Sequence, residues 1–316
     1  MTHLSDYTYL DRLVCNTLAL LWVLYRIQSF VGFREAFSPK RIRKGELRPI
    51  VTIIMLVSNI LVVVYDVIVT MIKYKEGYVM ETGTIISKPR DLWSEINLKL
   101  LPISDSLLDF SFAFLTSALF LFQATWNYIV QTYFKKPFMN STEFHLCVAY
   151  SFLSFLTYAL LQFTFIHNKT ESTIIPQFFF SAEAFVLIAF AVVNHIRLNR
   201  TLHEIEESSK ARKRLEISVK SNIYLGIFIA MMGVPLFIIN IDILTGSIFV
   251  EDKFASDLLM KFFNIGYPGV YIFLCMSLYP YYDQGSCNCS GIRRVAAGNF
   301  VEDSDEASIV MLRRFP

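Results

Sequence analysis

The chain has 316 residues, 54% of them hydrophobic and only 18% charged, where soluble domains carry about 25% charged residues. A mean hydropathy of +0.46 speaks against a soluble fold. The 15% aromatics exclude a disordered or low-complexity chain, and a formal net charge of +2 gives no basic excess that nucleic acid would require. What remains is an all-α polytopic membrane protein.

A bilayer core about 30 Å thick takes about 20 mainly apolar residues per helix. Runs of that kind fall at 13–33, 50–72, 105–134, 144–166, 177–197, 221–244 and 257–282. The expected fold is therefore a seven-transmembrane-helix bundle over 13–282, preceded by a short extracellular arm, 1–12, and followed by a cytoplasmic tail, 283–316. The first run continues through Trp22, Tyr25 and Arg26 without a small-residue cleavage site, so it reads as a retained span.

Positive charge is held on the cytoplasmic side during insertion, so the loops orient the bundle. With the N-terminus outside and the C-terminus cytoplasmic, 18 Lys and Arg lie inside and 8 outside. Loop 73–104 runs against the trend, its basic residues offset by Glu76, Glu81, Asp91 and Glu95. The sequon Asn168-Lys169-Thr170 falls outside in this topology and is the expected glycosylation site, while those at Asn140, Asn199 and Asn288 fall inside.

An ionised side chain in hydrocarbon costs roughly 2.5 to 3.5 kcal/mol and by default faces the bundle interior. Asp66, Asp109, Glu183 and Asp242 are the acids inside spans, all in outer halves, with Lys261 at similar depth. Together they predict an acidic vestibule open to the outside and suited to a cationic ligand. Tyr65, Trp22, Trp126 and Tyr158 read either as pocket lining or as packing and interfacial belt.

Pro235 interrupts the sixth span and Pro268 the seventh, which predicts kinks that serve as hinges. Between spans five and six, Glu206 and Lys210 form a helix-stabilising pair, so both helices extend into the cytosol. The basic segment 198–220 then suits anionic lipid or a cytoplasmic signalling protein. Past the last span, Cys287 and Cys289 are candidate palmitoylation sites, and Ser304 within Glu302–Glu306 reads as a phosphorylation substrate in a disordered tail.

Lys261-Phe262-Phe263-Asn264-Ile265-Gly266-Tyr267-Pro268-Gly269-Val270-Tyr271 resembles the Asn-Pro-x-x-Tyr ending of rhodopsin-class G-protein-coupled receptors, with Pro268 and Tyr271 in register and Tyr267 in the place of Asn. Lys261 stands seven residues before Pro268, the spacing of the retinal lysine in animal opsins. The third span ends Gln131-Thr132-Tyr133, without the family's acid-Arg-Tyr motif. Divergent seven-helix receptors and the seven-helix proteins of the tobamovirus-multiplication type are similar at the same level. The likeness implies a receptor with a ligand outside and a partner, such as a G protein, inside.

The competing readings are a proton- or cation-coupled transporter or channel and a non-catalytic membrane scaffold. An enzyme is not expected. The histidines, His3, His145, His167, His195 and His203, form no His-x-x-x-His or His-Glu-x-x-His, and the cysteines at 15, 147, 275, 287 and 289 form neither a disulfide framework nor a metal quartet. No metal and no cofactor is expected. The partners expected are membrane lipids, in the plasma membrane or an endomembrane, and no nucleic acid.

Overall fold

A backbone immersed in hydrocarbon has no water to satisfy its N–H and C=O groups, so a spanning segment must close its hydrogen bonds on itself as a helix or within a closed barrel. The computed structural model, which describes residues 6–43, 46–81, 84–88, 92–133, 142–165, 171–204, 210–245 and 252–279, takes the helical solution. In chain order it has α1 (Asp6–Phe30), α2 (Phe33–Ala36), α3 (Pro39–Arg43), α4 (Leu47–Glu76), β1 (Tyr78–Glu81), β2 (Thr84–Ser87), α5 (Glu95–Tyr133), α6 (Thr142–Phe165), α7 (Glu171–Glu204), α8 (Lys210–Thr245) and α9 (Lys253–Leu278). Seven of these, α1 and α4 to α9, are long and apolar enough to cross a membrane.

The helices overrun the hydropathy runs at most of their ends. Apolarity marks only the stretch inside lipid, whereas a helix continues until its capping chemistry stops it. Residues 6–12, taken from the sequence as part of an arm, are the first two turns of α1. Helix α5 begins ten residues before the run at 105–134 and passes through Pro102 without a break. Gly77, at φ 68°, ends α4, a backbone conformation that costs other residues more. Asp252 caps α9 by accepting from the amides of Phe254 and Ala255.

The β1–β2 hairpin was not foreseen. It pairs Tyr78 with Ser87 and Glu81 with Thr84 in loop 73–104, the loop whose charge ran against the trend. A two-stranded hairpin alone is marginal in water, so what fastens it matters. Glu76 accepts from Lys88 Nζ at 2.8 Å, from the Ser94 amide at 2.8 Å and hydroxyl at 2.7 Å, and from Asn97 Nδ2 at 2.6 Å. Trp93 Nε1 donates to the Lys88 carbonyl at 2.9 Å. One carboxylate thereby ties the end of α4 to the start of α5.

Packing follows the chain around a ring. Helix α1 packs on α4 and α9, α4 on α5, α5 on α6 and α7, α7 on α8, and α8 on α9. Helix α5 is the axle, with 83% of its most apolar window buried against 22% for α1 and for α6. The outer face of α6 carries Leu146, Phe152, Leu153, Leu156, Leu160 and Phe163, all exposed, which would be an aggregation surface in water and is the ordinary lipid-facing side of a membrane helix. Its half-buried Thr157 and exposed Thr164 return their hydroxyls to the carbonyls of Leu153 and Leu160, so neither asks anything of the lipid.

The ring closes on polar bonds between α1 and α9. Thr8 Oγ1 donates to Asp257 at 3.2 Å, Asn264 Nδ2 to the Thr8 carbonyl at 3.0 Å, Lys261 Nζ to Asp11 at 2.8 Å, and, at the other end, Arg26 to the Tyr279 carbonyl at 2.9 Å. The α8–α9 and α7–α8 seams close on glycine. A Cβ at Gly266 would fall 2.6 Å from the Met232 backbone nitrogen, one at Gly233 2.5 Å from Ala184 Cβ, and one at Gly269 inside the Phe228 ring. Without driving force from water, such close backbone approach is how membrane helices gain dispersion contact.

Candidate functional site

The intramembrane acids do not form one ring; the structure gives each its own setting. Asp66, on the inward face of α4, is fully buried and met by two residues of α1. Arg12 Nε donates to its Oδ1 at 2.6 Å and Asn16 Nδ2 to its Oδ2 at 2.7 Å. The Arg12 guanidinium lies over the rings of Tyr9, at 5.4 Å, and Tyr65, at 5.0 Å. The carboxylate thus has one oxygen on a buried cation that lies against two rings and the other on a neutral amide, a buried ion pair with both carboxylate oxygens bonded. Breaking such a pair from one side leaves a bare charge, at a cost of about 3–5 kcal/mol.

Glu183 on α7 is also saturated. Ser154 Oγ donates to its Oε1 and Tyr158 Oη to its Oε2, each at 2.9 Å, and Thr116 Oγ1 lies 3.0 Å from Ser154 Oγ. Helices α5, α6 and α7 thus meet at hydroxyls around one carboxyl group. Asp242 on α8 is buried. Lys261 faces outward, its side chain half exposed and paired with Asp11, so it stands at the surface of α9 and not in the interior.

Asp109 differs from the other acids. It is 5% exposed, and its Oδ2 has no hydrogen-bond partner. One turn inward on α5, Phe112 stacks on Phe180 of α7 at 3.9 Å and lies 6.2 Å from the ring of Tyr267 on α9 and 6.5 Å from that of Tyr158 on α6. The carboxyl group therefore stands one helical turn above a floor of four rings. One turn outward, Asp105 accepts from Thr173 at 3.1 Å, which keeps the second acid of α5 at the edge. An acidic group lacking a partner above an aromatic surface has the elements that hold an ammonium ion: a counter-charge and ring faces.

Below that floor lies a lattice of hydroxyls. Ser58 Oγ is 2.7 Å from Tyr271 Oη and 3.2 Å from Ser111 Oγ, Ser111 Oγ is 2.9 Å from Tyr267 Oη, and the two tyrosine hydroxyls are 3.2 Å apart. All are fully buried and join α4, α5 and α9 at mid-bundle. Tyr267 and Tyr271 thus carry bonds between helices.

Pro235 and Pro268 sit inside helices that run through them without interruption. Each lies two residues from a glycine at a seam, Gly233 and Gly266, so the proline level of α8 and α9 is also their level of closest approach. At the end of α9, the Tyr279 hydroxyl is 2.9 Å from Thr52 Oγ1, its carbonyl accepts from Arg26, and Arg48 lies 5.8 Å from its ring.

Asn168, Cys287 and Cys289 lie outside the described residues, as does 205–209 within the expected partner segment 198–220; Trp126 lies in α5, but its side chain is outside the description. Arg12, Asn16 and the tyrosine lattice were missed by sequence reasoning. A signal was there for the first two: Tyr9, Arg12 and Asn16 recur at helical spacing and extend one face of α1 past the apolar run. Among the described residues no group of three or more His, Cys, Asp and Glu side chains converges as a metal site needs. Compared with known proteins, the chain matches no family model, no curated protein and no solved structure.

Proposed function

We propose that this seven-helix membrane protein is a receptor for a small cationic ligand, which enters from the extracellular side and is passed on as a change in helix packing to a cytoplasmic partner. The observation that carries the reading is Asp109: a buried carboxyl oxygen without a partner, one turn above the rings of Phe112, Phe180, Tyr267 and Tyr158. Three of those rings belong to α6, α7 and α9, so a cation seated there touches helices that must move together. The orientation, N-terminus outside, rests on the 18 to 8 distribution of basic residues.

A ligand shifts a two-state bundle only through contacts that differ between its states. The floor rests on the Tyr267–Ser111–Ser58–Tyr271 lattice, which is a set of directional bonds able to exchange partners. Pro235 and Pro268 remove backbone bonds from α8 and α9 at the seam those helices share, and bending there costs no further ladder bond. The inner ends of α7 and α8, with the exposed Arg200 and Glu216–Lys220 pair, are the surface offered to a signalling protein such as a G protein. No covalent chemistry is part of this reading.

The test uses the full chain in nanodiscs and a panel of primary and quaternary ammonium compounds paired with neutral isosteres. The charged members raise thermal stability in the wild type and lose that effect in Asp109→Asn. Nucleotide exchange on a panel of G proteins, with and without the stabilising amine, then asks for signalling. Equal stabilisation by neutral isosteres, or an Asp109→Asn variant that binds as well as the wild type, overturns the reading.

A further inference from the structure

The segment between the first two spans, 31–48, carries Arg34, Lys40, Arg41, Arg43, Lys44 and Arg48 against two acids, Glu35 and Glu46. The structure sorts these charges. Arg41 takes both acids, with Nη1 3.3 Å from Glu35 and Nε 3.1 Å from Glu46. Arg48 lies over the Tyr279 ring. Arg34, Lys40 and Arg43 are exposed and have no ion-pair partner among the described residues. Their neighbours are apolar and also exposed: Phe33 stacks on Phe37 at 6.0 Å, and Phe30 lies under the Arg26 guanidinium at 3.6 Å. Ala36 is buried and Phe37 packs on the core, which fixes α2 against the end of the bundle, and α3 lies beside α4.

We propose that α2 and α3 form a binding site for an anionic phospholipid, with Arg34, Lys40 and Arg43 on the headgroup phosphate and Phe30 and Phe33 at the acyl boundary. Charge complementarity chooses the occupant: both acids of the segment are taken by Arg41, and Arg34, Lys40 and Arg43 are exposed beside aromatic rings at the end of the bundle. A membrane lipid presents both the phosphate and the chains; a soluble anion presents only the first. The site is independent of Asp109, and its expected leaflet is the cytoplasmic one, where anionic lipids concentrate.

Native mass spectrometry of the full chain in detergent, titrated with phosphatidylserine or phosphatidylcholine, reads the preference directly. Each basic residue at an anionic surface contributes roughly a fivefold preference, so Arg34→Gln/Lys40→Gln/Arg43→Gln should lower phosphatidylserine affinity on the order of 100-fold toward the phosphatidylcholine level. The control Lys75→Gln/Lys99→Gln removes exposed cations at the opposite ends of α4 and α5 and should keep the preference. Arg41→Gln removes one cation and unmasks Glu35 and Glu46, so it should weaken binding more than Arg34→Gln alone. Arg34→Lys/Arg43→Lys should retain it, which separates loss of charge from loss of fold. Equal affinity for both lipids in the wild type, an equal loss in the control, or displacement of phosphatidylserine by millimolar inorganic phosphate overturns the proposal.

Discussion

Two buried carboxyl groups, each in the half of its helix nearer the β1–β2 hairpin, have opposite surroundings. Asp66 is bonded at both oxygens by Arg12 and Asn16, while Asp109 keeps an oxygen without a partner. A saturated buried group fixes which helix faces meet and has nothing left to offer a ligand. An unsaturated one keeps hydrogen-bonding capacity in reserve. Asp66 fastens α1 to α4, whereas the oxygen without a partner on Asp109 fastens nothing and, in the receptor reading proposed above, is the one that a ligand takes up.

The largest effect should come from opening the fastening. Asp66→Asn or Arg12→Met alone leaves an uncompensated polar partner in the bundle and should cost about 3–5 kcal/mol in detergent unfolding. The double variant Arg12→Met/Asp66→Leu should recover most of that loss, since an apolar pair of similar volume often matches a buried ion pair. Singles that cost nothing would mean that water reaches Asp66, and the contrast with Asp109 would disappear.

Next comes the seam. Gly266→Ala places a methyl group 2.6 Å from the Met232 backbone, which cannot yield as a side-chain tip does, and should destabilise by about 1–3 kcal/mol. Gly32→Ala tests the converse: open space surrounds Gly32, and only its φ of 80° resists, so the cost should stay near 1 kcal/mol. A third variant probes the lattice. Ser111→Ala removes one partner of Tyr267, which keeps Tyr271 at 3.2 Å, so about 1 kcal/mol should be lost.

Asp109→Asn should have the smallest effect on the ligand-free protein, within about 1 kcal/mol, because no bond to the oxygen without a partner is broken. The same unfolding assay run beside Asp66→Asn sharpens the comparison: a large loss at 66 and a negligible one at 109. Comparable losses at the two positions would show that Asp109 holds the fold together, and the guest site would lose its basis.

The seven spans were legible because lipid imposes length and hydropathy on each segment separately, and no knowledge of neighbours is needed to read them. Asp66 was legible as a buried acid for the same reason. Its partner was not, since Arg12 fell before the apolar run, and only the continuation of α1 brings it inward. Lys261 shows the opposite case: its depth in the last span grouped it with the acids, but rotation about the helix axis, which packing sets, turns it toward Asp11. The hairpin at 78–87 left little trace, because four-residue strands beside Gly77 give too short a pattern to read.

The bonds that close α1 onto α9 also have a consequence for synthesis. The first helix leaves the ribosome with its polar face, Thr8, Asp11 and Arg26, committed to partners near residues 257–279, which are made some 250 residues later. Until then the bonds that Arg12 and Asn16 make to Asp66 of α4 are what engage its polar side. A chain cut before α9 would keep those bonds and leave Thr8, Asp11 and Arg26 without the partners that α9 and Tyr279 supply.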